Sequence, residues 1–311
     1  MQEKIGEILD RVQRVILGKQ EVVEKVLMAV LADGHVLLDD VPGVGKTTLA
    51  VALGKVLGLR YRRIQCTPDV LPSDIVGYSI YEKATGALRY MPGVVNGANL
   101  LLADEINRTS SRTQSALLEA MEERQVTVDG TVHPLEAPFL VIATENHVGA
   151  AGTQLLPQAQ LDRFLVRLTI GYPSLQAQMD MIRDRQERNP LELLERVTNA
   201  GEILAMQRQA AAVTMVEEIL SYIARLAQAS REDPMLDLGL SPRAAIALGR
   251  MARSCAYLRG RDYVVPEDVQ AMFCDVCAHR VLLSQKARAA RLTDRGVLEG
   301  LLDRVKAPYM Q

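Results

Sequence analysis

The stretch HVLLDDVPGVGKTTLAVALGKVLG, residues 35–58, passes from an apolar segment through a turn rich in Pro and Gly into a helical pattern. Gly43 and Gly45 allow the backbone to curl so that successive N–H groups point inward, which other residues do only with strain. The helix that begins near Lys46 adds the positive end of its dipole at the same point. The pattern predicts a phosphate-binding loop (P-loop) between a strand and a helix; the alternative is an ordinary Gly/Pro turn.

Two side chains of this loop have the chemistry that a nucleoside triphosphate requires. Lys46 would reach the β- and γ-phosphates as a point charge, and Thr47 would offer its hydroxyl to Mg²⁺. The residues expected to contact the nucleotide are Pro42, Gly43, Val44, Gly45, Lys46, Thr47 and Thr48. The pattern usually starts with Gly where this chain has Asp40, whose charge should weaken triphosphate binding unless a cation or base offsets it. Asp40→Gly is then expected to tighten ATP binding.

Length and composition limit the class of protein. A chain of 311 residues more readily holds two domains than one. The net charge of −2 argues against wholesale binding to nucleic acid or a membrane surface. Four scattered cysteines do not form a disulfide scaffold, which favours a reducing compartment. No signal-peptide core or apolar run of roughly 20 residues is present, so we expect a soluble cytoplasmic protein without a membrane span.

The first half of the chain alternates strand and helix patterns. Residues 100–103 and 139–144 are continuous apolar runs, as expected for strands that are buried on both faces of a parallel sheet. Turn signals predict β-hairpins near residues 79–90 and 126–135. The alternation predicts a doubly wound α/β domain whose functional site lies at the carboxyl ends of the strands.

The second half of the chain has helical patterns and no convincing buried strand. Thr214 and Glu217 form a capping-box pattern before an amphipathic helix, and Ser241 precedes a Pro at the first position of another. We therefore predict an α/β core over residues 1–175 and a smaller all-α domain over residues 176–311.

Polar residues follow the two buried strands of the first half. Asp104 could hold Mg²⁺, and Glu105 could orient and polarise a water for attack on the γ-phosphate. Asn146 could hydrogen-bond both the attacking water and a phosphate oxygen; its neighbour Glu145 is less suitable, because a second carboxylate would repel the phosphate. The simpler alternatives are a solvated acidic pair and a loop Asn in an Asx-turn.

Arginines provide a second set of candidates. Arg163 lies just before the last predicted strand, where it would be structural or would project from the edge of the subunit. Arg243 lies in the first turn of a helix, where its charge opposes the helix dipole and an anion would compensate it. Arg108 and Arg112 flank the acidic pair and are weaker candidates. The segment CDVCAH, Cys274–His279, is interpreted as helix interior rather than a metal or redox site.

Four segments together resemble the MoxR group of the AAA+ ATPases. VPGVGKTT resembles its P-loop, and LLADEINRTSSRTQSALLEAMEERQVTVDG resembles its acidic motif and the helix that follows. FLVIATEN followed by GTQLLPQAQLDRFLVRLTIGYP resembles its sensor-1 and arginine-finger region. LSPRAAIALGRMARSCAYLRGRDYVVPEDV resembles its sensor-2 helix. The similarity runs from about Val15 to past Val281, and the four motifs occur in the family's order.

The resemblance implies a parallel sheet flanked by helices, followed by an α-helical lid domain. It implies ATP and Mg²⁺ as cofactors, with Thr47 and Asp104 as metal-binding residues and Glu105 as the residue that activates water. By position, Asn146 would be sensor 1, Arg163 the finger that enters the neighbouring subunit's site, and Arg243 sensor 2. The two hairpins match insertions that face the central pore in related rings.

The resemblance also implies a function. Such proteins couple Mg²⁺-dependent ATP hydrolysis to chaperone-like remodelling, complex assembly or metal-cofactor insertion in a client protein. They act as homo-oligomeric rings, usually hexamers, and often with a partner that carries a von Willebrand factor A domain. Besides Asp40, this chain departs from the family in having Glu145 and His147 where Gln and Pro usually flank the sensor Asn.

Two other functions remain open from the sequence. Related AAA+ rings are nucleic-acid motors or loaders, although the near-neutral charge and the lack of a DNA-binding appendix argue against that here. A nucleotide-gated scaffold that does not hydrolyse ATP is motivated by Asp40 and Glu145.

Overall fold

The computed structural model describes residues 2–84, 86–146, 156–184 and 190–309. The strands of the chain are β1 (Val36–Asp39), β2 (Tyr61–Gln65), β3 (Gly77–Glu82), β4 (Ala87–Pro92), β5 (Leu100–Asp104), β6 (Gln125–Val128), β7 (Thr131–Pro134), β8 (Leu140–Glu145), β9 (Val166–Leu168), β10 (Leu236–Leu238) and β11 (Leu282–Leu283). The α-helices are α1 (Gln2–Gln13), α2 (Gln20–Leu31), α3 (Lys46–Val56), α4 (Pro72–Val76), α5 (Ser111–Glu123), α6 (Gln158–Leu161), α7 (Leu175–Asp184), α8 (Ala200–Ala211), α9 (Glu217–Glu232), α10 (Pro242–Leu258), α11 (Pro266–Cys277), α12 (Gln285–Ala289) and α13 (Asp294–Arg304).

The central sheet has five parallel strands in the order β2-β5-β8-β1-β9. Because β5, β8 and β1 are neighbours, the residues at their carboxyl ends meet at one edge of the sheet. Asp104 and Glu105 come at the end of β5, Glu145 ends β8, and the loop that leads to Lys46 follows β1. The predicted parallel α/β fold is therefore confirmed, and its topology brings the predicted motifs together.

Alternate residues of the buried strands point into two hydrophobic cores on opposite faces of the sheet. Leu38 and Ile142 pack in the core that α1, α2 and α3 cover. Leu37 and Val141 pack in the second core, which α5 covers. This is the environment that the continuous apolar runs predict, since a strand covered on both faces has no polar side.

After β9 the described residues are mainly helical, as predicted, and their β-structure consists of the short antiparallel pair β10–β11 and one isolated bridge between Thr214 and Tyr263. These strands span three and two residues, too short for a periodic pattern to predict them. The helices of this half pack against the first half: the side-chain amide of Gln207 donates to the carbonyl of Val30 at 2.8 Å, and Arg250 donates to the carbonyl of Asp33 at 3.0 Å. One hydrophobic core runs through both halves, and the division at residue 175 stays a prediction.

Both predicted β-hairpins are present, as β3–β4 and β6–β7. They contact each other through stacked rings of Tyr90 and His133, whose centroids are 3.8 Å apart. Gly77 begins the first hairpin with φ of 92°, and an added Cβ would lie 2.4 Å from the carbonyl oxygen of Met91. Only glycine adopts this φ readily and leaves room for the Met91 carbonyl, so the hairpin requires glycine where it begins.

The segment CDVCAH is helical, but it is not helix interior as predicted: α11 ends at Cys277, and Ala278 and His279 belong to the 3₁₀ helix that follows. Cys274 and Cys277 are buried free thiols of α11, and burial raises the pKa of Cys274 to about 11. The ring of His279 is buried against the carbonyl of Phe164 at 3.0 Å. Within the described part of the chain, no group of three or more His, Cys, Asp or Glu residues is arranged to hold a metal ion, and no helix is long and apolar enough to cross a membrane.

Candidate active site

The P-loop has the backbone curl that its glycines predict. Gly43 and Gly45 have φ of 84° and 98°, and Gly45 is the N-cap of α3. A Cβ built at either position meets nothing within 4 Å, so the requirement for glycine comes from the backbone angle rather than from space. The curl places the amino end of α3, with its unsatisfied N–H groups, at the carboxyl edge of the sheet.

Lys46 links the P-loop to the end of the neighbouring strand. Its ammonium group donates to the carbonyl oxygen of Asp40 at 2.6 Å and to that of Glu145 at 2.7 Å, and the residue is only 8% exposed. Burial lowers the pKa of Lys46, while the nearby carboxylates of Asp40 and Asp104 oppose that shift. A buried cation held by two carbonyls at a loop rich in N–H donors is a suitable partner for a phosphate group.

Asp104 and Thr47 lie together, as their predicted roles require. The Thr47 hydroxyl lies 3.4 Å from one carboxylate oxygen of Asp104, and the other oxygen accepts a hydrogen bond from the Thr144 hydroxyl at 2.7 Å. A hydroxyl and a carboxylate oxygen side by side are donors that Mg²⁺ prefers, so the residues fit the implied metal. Thr47 and Asp104 would hold the ion and leave its other positions to water and phosphate oxygens.

Glu105 has an unusual backbone conformation. Its φ of 57° lies in the left-handed region, which a Glu rarely adopts and which often marks a functional site. Its side chain accepts hydrogen bonds from Gln65 at 3.2 Å and from Arg108 at 2.8 Å. Arg108, a weaker sequence candidate, therefore pairs with the carboxylate predicted to activate water.

Asn146 follows β8 at the same edge as the acidic pair. Its carbonyl accepts a hydrogen bond from the side chain of Asn107, a buried residue, at 3.1 Å. Asn107 thus ties the segment after β5 to the segment after β8. His147, the next departure from the family pattern, lies outside the described residues.

Thr144 was missed by sequence reasoning, although a polar residue near the end of an apolar run is a signal. It is fully buried, and its hydroxyl donates to Asp104 and accepts from the backbone N–H of Glu105 at 2.8 Å. Thr144 therefore fixes both residues of the acidic pair.

Thr144→Val is expected to lower ATP turnover by roughly ten- to a hundredfold, the usual effect of losing a residue that orients a metal ligand. Valine fills the same space but leaves an oxygen of Asp104 and the N–H of Glu105 without their partner. Steady-state ATP hydrolysis measures the effect, and Thr144→Ser, which keeps the hydroxyl, is the control. Turnover by the Val variant equal to that of the Ser variant would show that this hydroxyl is unimportant.

Asp40 has a structural role that the sequence does not show. Its carboxylate accepts hydrogen bonds from the backbone N–H groups of Val41, at 2.7 Å, and Gly171, at 2.5 Å. Its φ is not in the left-handed region that Gly43 and Gly45 occupy, so this position does not need glycine. The backbone N–H groups and the nearby ammonium of Lys46 offset the charge that was expected to repel a triphosphate.

These contacts reverse the expectation that Asp40→Gly tightens ATP binding. Glycine would release both backbone N–H groups and loosen the P-loop, at a cost of about 1 kcal/mol or more. We expect Asp40→Gly to have a higher dissociation constant for ATP and a lower Tm than wild type. Asp40→Asn keeps one acceptor oxygen, so its values should lie between those of wild type and Asp40→Gly. Titration calorimetry and thermal unfolding test this, and tighter binding by the Gly variant would restore the original expectation.

A cavity of about 280 Å³ lies beside the P-loop and was not predicted. Val15 and Ile16, from the segment after α1, form one wall, and Met181 and Ile182 of α7 form another. It is continuous with Val44 of the P-loop. An apolar cavity next to a phosphate-binding loop can hold the flat ring of a nucleotide base.

The two arginine candidates lie close to each other but not at the P-loop. Arg243 forms an ion pair with Glu122 and lies 3.6 Å from a carboxylate oxygen of Asp162. Arg163 approaches the same Glu122 carboxylate at 3.8 Å and donates to the carbonyl of Ala159. A cavity of about 290 Å³ lies here, lined by further arginines, namely Arg124, Arg250 and Arg280.

This arginine cluster lies at the amino end of the sheet. The backbone N–H of Leu165 donates to the carbonyl of His35, just before β1, whereas the P-loop follows Asp39 at the other end of that strand. The length of β1 alone separates the two edges by about 13 Å. Arg243, expected by position to be sensor 2, therefore lies beside Arg163 and not at the P-loop of its own subunit.

Comparisons with known proteins agree with this fold. Residues 35–166 match the family model for the ATPase family associated with various cellular activities (AAA), and residues 228–300 match the AAA lid domain. A crystal structure of a Cytophaga hutchinsonii protein described as an ATPase has a TM-score of 0.91 and 36% identity, covering 99% of this chain and 96% of that one.

Curated relatives cover nearly the whole chain. The Bacillus subtilis protein YeaC is 44% identical over 99% of this chain and 96% of its own length. The chaperone MoxR1 of Mycobacterium tuberculosis is 39% identical over 96% of this chain and 81% of its own length. The MoxR protein of Methylorubrum extorquens is 31% identical over 96% of this chain and 93% of its own length. With the P-loop, the acidic pair and the lid all present, this chain belongs to the MoxR family of AAA+ ATPases and is a nucleotide-binding ATP hydrolase.

Proposed function

We propose that this protein couples Mg²⁺-dependent ATP hydrolysis to chaperone-like remodelling of a client protein, to complex assembly or to metal-cofactor insertion, as a homo-oligomeric ring, most simply a hexamer. The name of one relative, chaperone MoxR1, supports the chaperone-like part. The proposed assembly into a ring is supported by the position of Arg163 and Arg243. Both lie together at the edge of the sheet opposite the P-loop of their own subunit. In a ring, each subunit would present this edge to its neighbour's nucleotide.

In the proposed site, different residues bind the nucleotide, hold the metal and activate the water. The P-loop N–H groups and Lys46 bind the phosphates, and the apolar cavity with Val15 and Met181 takes the adenine ring. Thr47 and Asp104 would hold Mg²⁺, which would neutralise charge on the phosphate oxygens. Glu105 accepts a proton from the attacking water.

Three further residues complete the proposed site. Asn146 orients the attacking water against the γ-phosphate. Arg163 and Arg243 of the neighbouring subunit stabilise the negative charge that develops in the transition state.

We further propose a division into a core over residues 1–175 and a lid over residues 176–311, which the positions of the two family matches support. A partner with a von Willebrand factor A domain remains a proposal from the family resemblance. Four buried free cysteines support a reducing compartment such as the cytoplasm.

A trapped complex tests the client-directed function. Glu105→Gln in the presence of ATP should retain its client, whereas Lys46→Ala, which should not bind ATP, serves as the matched control. Proteins captured by the first variant and absent from the second are the clients or partners. Capture that does not depend on ATP would contradict ATP-driven remodelling.

The alternative functions are weaker but testable. A nucleic-acid motor would show ATPase stimulation by DNA, which the net charge of −2 does not favour. The alternative of a scaffold that does not hydrolyse ATP was based on Asp40 and Glu145. Asp40 no longer supports it, because the Asp40 carboxylate is hydrogen-bonded to backbone N–H groups.

A further inference from the structure

Arg63 lies on the strand next to the acidic pair. It belongs to β2, an edge strand whose register pairs Gln65 with Asp104. Because side chains two residues apart share a face of a strand, Arg63 and Gln65 both reach toward the end of β5. Arg63 donates to the side-chain oxygen of Gln65 at 2.7 Å, which holds the guanidinium group over the carboxyl edge of the sheet.

The guanidinium group of Arg63 contacts the carboxylate predicted to bind the metal. Its Nη2 lies 2.6 Å from Oδ2 of Asp104, the same oxygen that lies 3.4 Å from the Thr47 hydroxyl. The other oxygen, Oδ1, is bonded to Thr144. The Asp104 oxygen that faces the proposed metal position is therefore the one that Arg63 holds.

The two partners differ in how freely they can move. Asp104 is buried, with 8% of its surface exposed, and is fixed by Thr144 on one side. The side chain of Arg63 is 46% exposed and long, so it can turn into solvent at little cost. If two cations compete for one oxygen of Asp104, the arginine is the one that moves.

We propose that Arg63 is the counter-ion of Asp104 when no metal is bound, and that it must leave this oxygen when Mg²⁺ binds. The inference rests on the proposed role of Asp104 as a metal-binding residue. A buried carboxylate is costly without a nearby positive charge, and Arg63 supplies that charge in the metal-free state. Arg63 thereby raises the Mg²⁺ concentration at which the nucleotide site becomes fully occupied.

The Mg²⁺ dependence of nucleotide binding tests this directly. The full-length protein is titrated with a fluorescent, non-hydrolysable ATP analogue over a range of Mg²⁺ concentrations, and the midpoint of the Mg²⁺ effect is compared between variants. Arg63→Gln should lower that midpoint about tenfold, because Mg²⁺ no longer competes with a charge-assisted hydrogen bond. Arg63→Lys, which keeps a positive charge, should stay nearer to wild type.

Arg62→Gln is the matched control. Arg62 is the adjacent, exposed residue of the same strand, and its side chain points to the other face. Its replacement by Gln removes the same charge, and among the described residues Arg62 forms no ion pair with a carboxylate. A midpoint for Arg63→Gln that equals that of Arg62→Gln, or lies above wild type, would overturn the inference while leaving the nucleotide site intact. Wild-type binding that does not respond to Mg²⁺ would overturn the proposed metal site as well.

Discussion

Glu105→Gln is expected to bind ATP as wild type does but to hydrolyse it roughly a hundredfold more slowly, or slower still. Glutamine keeps the shape of the side chain and can still contact Gln65 or Arg108, but it cannot accept a proton from water. Of the two acidic residues, only Glu105 serves this role in our proposal, since Asp104 is held by Thr47, Thr144 and Arg63.

Two measurements separate binding from chemistry in this variant. Fluorescence titration with an ATP analogue gives the dissociation constant, and phosphate release gives the turnover. Glu119→Gln is a suitable control, because Glu119 is exposed on α5 and its substitution removes the same charge away from the site. Turnover by Glu105→Gln within a few-fold of that control would mean that another group activates the water.

The P-loop and the acidic pair could be predicted because each motif is local in sequence. The strand before each motif is a continuous apolar run, so the pattern identifies the strand and its polar end together. Parallel strands then bring Lys46 and Asp104 to one edge without further information. The structure agrees with this reasoning, since Thr47 of the P-loop lies against Asp104.

The rest of the site could not be predicted because it depends on packing between distant segments. The cavity beside the P-loop combines Val15 with Met181, which are far apart in the chain. The contact of Arg63 with Asp104 depends on the register between β2 and β5, which no local pattern gives. The hydrogen bond from the N–H of Gly171 to Asp40 could not be predicted, because it depends on tertiary structure.

The position of Arg243 was also beyond sequence reasoning. A positive charge in the first turn of a helix indicates a nearby anion, but not which one. In the structure that anion is Glu122, with Asp162 close by, and both hold Arg243 beside Arg163. In the proposed ring, we therefore expect both arginines to act on the neighbour's nucleotide and neither to act on the nucleotide of its own subunit.

Mixing of inactive variants is expected to distinguish these arrangements. Arg163→Ala should regain activity when mixed with Glu105→Gln, because some interfaces pair an intact Glu105 with an intact neighbouring Arg163. In an equal random mixture, about one interface in four of a closed ring pairs an intact Glu105 with an intact Arg163. If the interfaces act independently, the recovered activity can therefore reach at most about a quarter of the wild-type activity. No recovery at any mixing ratio would count against a shared site.

A second mixture tests where Arg243 acts. If both arginines act in the neighbour's site, a mixture of Arg163→Ala and Arg243→Ala should stay inactive, because no subunit supplies both. If Arg243 acts in its own subunit, the same mixture should recover, since the Arg163→Ala subunit keeps Arg243 and receives Arg163 from its neighbour. The structure favours the first result, because Glu122 holds both guanidinium groups at the edge opposite Lys46. Recovery of activity in this mixture would require the lid to turn α10 toward the P-loop of its own subunit during the cycle.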